Sequence, residues 1–345
     1  MSAIADVARL AGVSKSTASR ALSGHGYVSE DARARVESAA SLIGYVVSSN
    51  ASSLVTGRTK NVGVVTPFIT RWFFSQVLEG IESSLIAAGY DLTLYRLSED
   101  LTQRHRVFDY FLVRKRVDAV IAVGIALSPQ EITMLRSLGK PLVGIGGEIE
   151  GIPTVSIDDV ETARRATEHL LSLGHTRIVH LGGRPDNQMD FRVHTQRLDG
   201  VMLAMADADL PATDLLHPAE FTVPGGYSAA LSLLADPRSR PTAIVAGCDE
   251  IAIGVIVAAR QLGIQVPAQL SVIGIDGHDL AEMFGLTTLE QNPTLQGTRA
   301  VELLVARMAD GGEDANDRAV TMPVSLTVRT STTAPPAGAM TRDRG

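Results

Sequence analysis

The chain of 345 residues lacks most features of membrane, secreted and metal-binding proteins. Its single cysteine, Cys248, can form neither an intramolecular disulfide nor a thiolate metal site, which needs several sulfur ligands. Apolar stretches such as 119–127 and 251–259 fall far short of the roughly 20 residues that a membrane-spanning helix requires. The N-terminus has no basic segment ahead of an apolar one, so we expect no signal peptide and a cytoplasmic protein.

Motifs that are typical of enzymes are also missing. The sequence has no G-x-x-x-x-G-K-[ST] phosphate loop and no G-x-S-x-G nucleophile elbow, and the glycines at 144–147 lack the third spaced glycine of a dinucleotide fingerprint. His169 and His175 lie six positions apart rather than the four of a helical metal pair, so we expect both to be structural. We therefore expect neither an enzyme nor a bound cofactor or metal.

Taken alone, the net charge of −7 disfavours nucleic acid as a partner. The distribution of charge along the chain changes this expectation. Residues 1–60 contain seven Lys/Arg and four Asp/Glu, a net charge of +3, whereas the remainder of the chain carries −10. A basic head on an acidic body indicates a small module that faces polyanions and a larger module that does not.

Residues 1–46 have the pattern of an all-α head with three short helices. The apolar residues of 4–11 recur at helical spacing, and Gly12 is placed to end that helix. Ser14 can cap a second helix, and Ser29 can cap a third. Two short helices joined by Gly-Val-Ser form a helix-turn-helix.

The second helix presents a polar face that suits the DNA major groove. Lys and Arg can donate to guanine, Ser and Thr can contact bases or phosphates, and the free amides at the helix start can hold a phosphate. The alternative is a three-helix bundle whose exposed face is merely polar. The polar positions are Lys15, Ser16, Thr17, Ser19 and Arg20.

Four short motifs distinguish this head from a generic three-helix bundle. They are Asp6-Val-Ala8, Ala11-Gly-Val-Ser14, Thr17-Ala-Ser-Arg20 and Val28-Ser29. With them the head resembles the N-terminal signature of the LacI/GalR (lac-repressor-like) family of bacterial transcriptional regulators. The resemblance implies base reading by Lys15, Ser16 and Arg20, and phosphate contacts by a second set of side chains. That set is Ser14, Thr17, Ser19, Ser23, Tyr27 and Ser29.

Residues 47–60 are the predicted hinge or linker. The resemblance implies a short helix that folds on DNA and enters the minor groove with Ala51 and Leu54, the leucine acting as a wedge. The family usually has Pro-Asn where this chain has Val47-Ser48, and Arg where it has Ser52. The alternative is a plain flexible linker with Leu54 packed on the body.

From Val62 onward, apolar strands alternate with amphipathic helices, which indicates parallel sheets covered on both faces. The stretch is too long for one compact core, so we expect an α/β body of two lobes. Motifs such as Leu173-Gly-His175 and Ser271–Asp276 resemble the family's effector domain, which is similar to the periplasmic-binding-protein fold (type I).

The resemblance also implies where the body divides. One lobe is expected from residues 61–158 with 291–320, and the other from 159–290 with 321–330. Residues 331–345 contain Pro, Gly and Ala without a period, so we expect a disordered tail.

A ligand is expected at the carboxyl ends of the strands, where open α/β sheets bind small molecules. Trp72, Phe73 and Phe74 follow the first strand and suit stacking on a sugar, although one or two of them could instead plug the core. Gly146, Asp158 and Phe191 are further candidates at strand ends.

Charged residues complete the predicted effector site. Arg197 and Asp276 suit paired bonds to adjacent hydroxyls, and the resemblance favours that role. The alternatives are that Asp276 caps the next segment and that Arg197 pairs with an acid. Cys248 stands where the family often has Asn, and we expect Asp249 to cap the following helix.

Together these features predict a transcriptional repressor whose affinity for a pseudo-palindromic operator is modulated by a small ligand, a sugar, bound between two lobes. We expect a homodimer, because the tail lacks the leucine heptads of a tetramerising extension. The alternatives are a DNA-tethered enzyme that acts on a sugar and a binding module whose head contacts protein.

Overall fold

A computed structural model describes residues 4–24, 26–45, 58–98, 100–108, 117–137, 139–147, 149, 151–184, 192–309 and 319–336. Within this part of the chain, no helix combines the length and the apolar character that crossing a membrane requires. The predicted fold class, a helical head followed by an α/β body, is confirmed.

The head consists of α1 (Ile4–Ala11), α2 (Lys15–Ser23) and α3 (Glu30–Leu42). The Ser14 hydroxyl caps α2 by accepting a hydrogen bond of 3.1 Å from the Thr17 amide, as predicted. Gly12 adopts a φ of 65° after α1, a conformation that side chains with a Cβ rarely adopt. The core is small and consists mostly of alanines, which allows three short helices to approach closely.

Among the described residues, the body forms two sheets of six strands each. The first sheet has β1 (Asn61–Thr66), β2 (Asp91–Arg96), β3 (Ala119–Val123), β4 (Leu142–Ile145), β5 (Thr154–Ser156) and β11 (Val320–Thr321), in the order β11-β5-β4-β3-β1-β2. The second has β6 (Ile178–Gly182), β7 (Leu216–Pro218), β8 (Ala243–Ala246), β9 (Ser271–Asp276), β10 (Thr287–Glu290) and β12 (Ser325–Thr327), in the order β12-β10-β9-β8-β6-β7.

Helices accompany each sheet and bury its apolar strands. The first lobe has α4 (Trp72–Ala87), α5 (Leu101–Arg106), α6 (Pro129–Ser137) and α11 (Pro293–Ala309), and the second has α7 (Asp159–Ser172), α8 (Val193–Asp207), α9 (Val223–Leu234) and α10 (Asp249–Gln261). Strand β12 pairs antiparallel with β10, while β9 pairs in parallel with both β8 and β10.

In the part of the body that the structure describes, the chain crosses between the lobes after β5, after β10 and after β11. The last crossing lies between Thr321 and Ser325, because β11 pairs with β5 of the first sheet. The expected boundary placed residue 321 in the second lobe, and it lies instead in the first. Of the expected linker, residues 58–60 are described, and the amides of Thr59 and Lys60 each donate 2.8 Å hydrogen bonds to the Asp118 carboxylate.

Part of the expected disordered tail packs on the second sheet. Ser331 is buried, and its hydroxyl donates to the Val272 carbonyl at 2.6 Å. The Thr333 amide donates to the Ser271 hydroxyl at 3.0 Å. The prediction of disorder is therefore wrong for residues 331–333, because their polar groups satisfy those of β9. Residues 337–345 lie outside the described part of the chain.

The two histidines that we expected to be structural contact this same segment. The His175 ring is buried and lies 3.0 Å from the hydroxyls of Thr242 and Ser271 and 2.8 Å from the Thr333 carbonyl. Burial lowers the pKa of His175, which keeps the ring neutral in this polar cluster. His169 contacts the Thr332 hydroxyl at 3.0 Å.

Gly80 of α4 and Gly297 of α11 lie where these two helices pack together. A Cβ at position 80 would lie 2.0 Å from the Thr294 carbonyl oxygen, and a Cβ at position 297 would lie 2.3 Å from the Val77 carbonyl oxygen. Both obstacles are backbone atoms, which cannot rotate away. The close approach of the two helices therefore requires glycine at both positions.

We expect Gly80→Ala to lower the free energy of unfolding by about 1–3 kcal/mol, although alanine is the better helix former. Urea denaturation followed by far-UV circular dichroism measures this change. Ser83→Ala, at an exposed position of the same helix, is the matched control and should change the value by less than about 0.5 kcal/mol. A neutral or stabilising Gly80→Ala would contradict the close packing of α4 on α11.

Candidate functional site

The structure places the polar residues of α2 on one accessible surface. Lys15, Ser16 and Arg20 are exposed, whereas Thr17 and Ser19 are half-buried. The helix buries Ala18 and Ala21 on its opposite side. The predicted base-reading side chains therefore lie together on the face that the head does not use for packing.

Hydrogen bonds orient several of these side chains. The Arg20 Nε–H donates to the Ser16 carbonyl at 3.2 Å, which holds the guanidinium group along the helix. The Ser14 hydroxyl, besides capping α2, lies 2.8 Å from the Ser16 hydroxyl. Ser29 caps α3 by accepting from the Ala32 amide at 3.4 Å.

The remaining residues predicted to contact DNA fall into two groups. Tyr27 is 90% exposed, and the Ser23 hydroxyl donates to the Arg20 carbonyl at 3.4 Å. The hinge candidates Ala51 and Leu54 lie outside the described part of the chain, as do Val47, Ser48 and Ser52, where the hinge departs from the family pattern.

In the body, a cavity opens between the two lobes at the carboxyl ends of their strands, where sequence predicts a ligand. The first lobe contributes the segment after β1, Gly124 after β3 and Gly146 after β4. The second contributes side chains from the starts of α7, α8 and α10 and from the end of β9. The lining residues are Phe68, Arg71, Phe73, Phe74, Gly124, Gly146, Ile157, Asp159, Val193, His194, Arg197, Phe221, Cys248, Glu250, Asp276, Gln291 and Gln296.

Arg197 is the centre of the buried polar groups in this cavity. Its Nε–H donates to Asp159 at 2.8 Å, its Nη1 donates to the Gly247 carbonyl, and Nη1 lies 4.0 Å from Asp276. The Asp276 carboxyl also accepts from the side-chain Nε2–H of Gln291 at 2.5 Å. Because Arg197 already pairs with Asp159, its charge is compensated within the cavity floor, which still offers hydrogen-bonding groups.

Burial changes the proton affinity of the groups that line this floor. It raises the pKa of Asp276 to about 8, against the lowering effect of Arg197. It raises the pKa of the Cys248 thiol, so the thiol is protonated and a weak donor. It lowers the pKa of His194 to about 4, which leaves this ring neutral beside Phe221, with ring centroids 4.3 Å apart.

Aromatic rings form the apolar part of the cavity wall. Phe73 and Phe74 line the cavity and also pack on the core of the first lobe. Each ring therefore combines the two positions that the sequence left open, at the ligand cavity and in the core. Phe221 supplies a ring from the second lobe. Phe191, the other aromatic candidate, lies outside the described residues.

Two expectations for the lining of the cavity are wrong. Trp72 does not line the cavity, because its indole turns outward onto His278 and Asp279 at the rim. Asp158 caps α7 by accepting from the Glu161 amide at 2.9 Å, and the next residue, Asp159, lines the cavity in its place.

Asp249 was expected to cap α10, but Cys248 occupies the N-cap position. The Asp249 carboxylate points away from the helix and accepts from the amides of Gly277 and His278 at 2.9 and 2.8 Å. It also accepts from the Thr288 hydroxyl at 2.6 Å. Burial raises the pKa of Asp249 to about 6.

Several lining residues were not predicted individually. Phe68 and Arg71 belong to the strand-end segment that the sequence indicates, so their type and position could have identified them. Gln291 and Gln296 carry no local signal, because they reach the cavity only through the crossing after β10. Among the described residues, no group of three or more His, Cys, Asp or Glu side chains could hold a metal ion.

Comparison with protein families and known proteins assigns both parts of the chain. Residues 3–48 match the model of bacterial regulatory proteins of the lacI family, and residues 167–332 match a periplasmic binding protein-like domain. The chain is 31% identical over 320 residues to the HTH-type transcriptional repressor PurR of Vibrio cholerae serotype O1 (strain M66-2), which covers 90% of this chain and 92% of that protein.

Solved structures resemble nearly the whole chain. A complex of the transcriptional regulator CelR with cellobiose is 26% identical, with a TM-score of 0.70 over 96% of this chain and 100% of that one. The lac repressor dimer bound to operator and the anti-inducer ONPF has a TM-score of 0.85 over 96% of this chain and 99% of that one. At 24% identity, the latter likeness shows the fold alone.

The pKa of Asp276 leads to a prediction on stability. The folded chain holds this proton up to about pH 8, whereas an unfolded aspartate releases it near pH 4. Over that range the folded state binds more protons, so the contribution to stability is lost as the pH rises. Asp276→Asn, which mimics the protonated acid, should raise the melting temperature relative to the wild type by more at pH 8 than at pH 5.

Thermal unfolding of both proteins at the two pH values measures the difference. Asp199→Asn, which changes an exposed carboxylate on α8, is the matched control and should show the same small effect at both pH values. An Asp276→Asn effect that is equal at pH 5 and pH 8 would show that the wild-type carboxyl is ionised throughout.

Proposed function

Because the chain belongs to the LacI family of bacterial regulatory proteins, and is a DNA-binding transcriptional repressor rather than an enzyme, we propose that a small ligand in the interlobe cavity controls its hold on an operator. The observation that carries this proposal is a cavity at the strand ends of both lobes, with a buried polar floor and aromatic walls. The alternative of a DNA-tethered enzyme has no support.

The exposed face of α2 is the proposed base-reading surface. Lys15, Ser16 and Arg20 lie together there, and each can reach base edges if α2 enters the major groove. The amides at the start of α2 and the surrounding hydroxyls are assigned to phosphates. The phosphate set is Ser14, Thr17, Ser19, Ser23, Tyr27 and Ser29, and Ala51 and Leu54 are assigned to the minor groove.

We propose a sugar as the ligand. The rings of Phe73, Phe74 and Phe221 can cover the apolar face of a pyranose. Arg197 and Asp276 supply hydrogen bonds to hydroxyls, and the pairing of Arg197 with Asp159 favours an uncharged ligand. The similar regulator CelR was solved with cellobiose. Gly146 and Cys248 complete the proposed contacts, and Phe191 remains a sequence-based candidate.

Control of DNA binding requires that the ligand bind two arrangements of the lobes with different affinity. A homodimer with two heads on a pseudo-palindromic operator would convert a change in lobe closure into a change in the spacing or order of the hinges. A repressor must reach the chromosome to bind its operator, so we propose that this protein lies in the cytoplasm, associated with the nucleoid. The similar lac repressor was solved as a dimer on its operator.

Arg20→Ala tests the base-reading surface. It should weaken binding to the operator by about 1–3 kcal/mol and relax specificity at one base pair, because a bidentate contact to guanine is lost. Fluorescence anisotropy with the operator and with single-base variants measures both effects. Arg35→Ala, an exposed charge on α3, is the control and should weaken all sequences about equally. Unchanged affinity in Arg20→Ala would refute its role.

Asp276→Ala tests the effector site. A thermal-shift screen of sugars, with cellobiose among them, first identifies one that stabilises the wild type. Asp276→Ala should then bind operator as the wild type does but lose at least about tenfold in affinity for that sugar, because a buried partner is removed. Asp199→Ala, an exposed carboxylate two residues from Arg197, is the control and should respond normally. A normal response in Asp276→Ala would remove it from the site.

A further inference from the structure

Trp72, the only tryptophan in the sequence, connects the two lobes outside the ligand cavity. It is the first residue of α4 in the first lobe. Its indole stacks on the His278 ring of the second lobe, with centroids 4.8 Å apart and planes 25° apart. The indole Nε1–H donates to the Asp279 carboxylate at 3.0 Å.

The backbone of the same residue also faces a carboxylate across the cleft. The Trp72 N–H lowers the pKa of Glu250, which belongs to α10 of the second lobe, against the raising effect of burial. This amide is at the N-terminus of α4, where no side chain caps the helix, and a carboxylate is favoured there by the helix dipole. The ring stack, the indole hydrogen bond and this electrostatic contact thus all involve Trp72.

Contacts within each lobe position both halves of this interlobe contact. On one side, Arg71 lies over the Phe68 ring at 3.4 Å from its centroid. On the other side, the His278 amide donates to Asp249 at 2.8 Å, and the His278 Nδ1 accepts from the Leu280 amide at 3.0 Å. A contact between two pre-ordered surfaces loses little conformational entropy when it forms.

We propose that Trp72, with His278 and Asp279, is an interlobe latch that holds the cleft closed from outside the cavity and sets the fraction of molecules open to ligand. Opening the cleft must break the stack and the indole hydrogen bond. Trp72 is thus a positioning residue: it changes the apparent affinity for ligand through the population of the open and closed states. The latch rests on the proposed ligand role of the cavity, but its test needs neither ligand nor DNA.

The chain supplies a second natural probe for this test. Cys248, the only cysteine, is buried and lines the cavity behind the latch. Burial raises the pKa of its thiol, so the closed state is shielded and unreactive. The rate at which N-ethylmaleimide labels Cys248, followed by mass spectrometry under conditions where closing outpaces labelling, therefore measures the population of the open cleft.

Two substitutions remove the same hydrogen bond from opposite sides. Trp72→Phe keeps a ring for the stack but lacks the Nε1–H, and Asp279→Ala removes the acceptor. Each should accelerate labelling of the full-length protein about fivefold, the factor expected for one lost hydrogen bond. The double variant should be no faster than either single variant, because only one bond exists to lose. Trp72→Ala, which also loses the stack, should exceed about tenfold.

Glu282→Ala is the matched control, since it removes an exposed carboxylate from the same segment, three residues after Asp279. Its labelling rate should equal that of the wild type. Acrylamide quenching of Trp72 fluorescence gives an independent readout: it should increase in Asp279→Ala and stay unchanged in Glu282→Ala. Far-UV circular dichroism and the melting temperature establish that each variant is folded.

Two outcomes would overturn the latch. One is a labelling rate of Cys248 that is unchanged in Trp72→Phe and in Asp279→Ala. The other is a labelling rate in the double variant that is about 25-fold above the wild type, the product of the two single effects. If Trp72→Ala does not fold, the labelling rates of Trp72→Phe and Asp279→Ala still test the latch. Because these measurements use the ligand-free protein, a failed latch leaves the proposed sugar response untouched, and a failed sugar response leaves the latch result intact.

Discussion

The second lobe's half of the site depends on one buried carboxylate, that of Asp249. It accepts two backbone amides after β9 and the Thr288 hydroxyl of β10, and it fits there because Gly274 has no side chain. A buried carboxylate without such partners would be strongly unfavourable. These bonds fix the turn that carries Asp276 into the cavity and His278 onto the rim, so the cavity floor and the interlobe contact share one support.

Local chemistry explains why much of the fold could be predicted. The head follows from caps and glycines such as Ser14 and Gly12, whose effects extend over only a few residues. Strand β3 could be predicted because all five of its residues are apolar and buried. The position of the cavity follows from a rule of parallel sheets, which needs only the ends of the strands.

The errors concern side chains whose roles depend on distant parts of the chain. Asp158 and Asp159 are adjacent acids, and only the exact first turn of α7 decides which one faces the cavity. Trp72 follows a strand like Phe73 and Phe74, but its hydrogen-bond partner Asp279 lies 207 residues away in sequence. Polar tail residues pack on β9 for the same reason: composition does not reveal a partner elsewhere in the chain.

The buried segment at residues 331–333 determines how the second lobe can be extended. It bonds to Ser271, the first residue of β9, and to His175, which precedes β6. These contacts lie at the amino edge of the second sheet, whereas the cavity lies at the carboxyl edge of the same strands. A fusion partner joined after residue 336 therefore leaves the lobe on the side remote from the cleft, whereas a chain cut before Ser331 would uncover the polar cluster around His175.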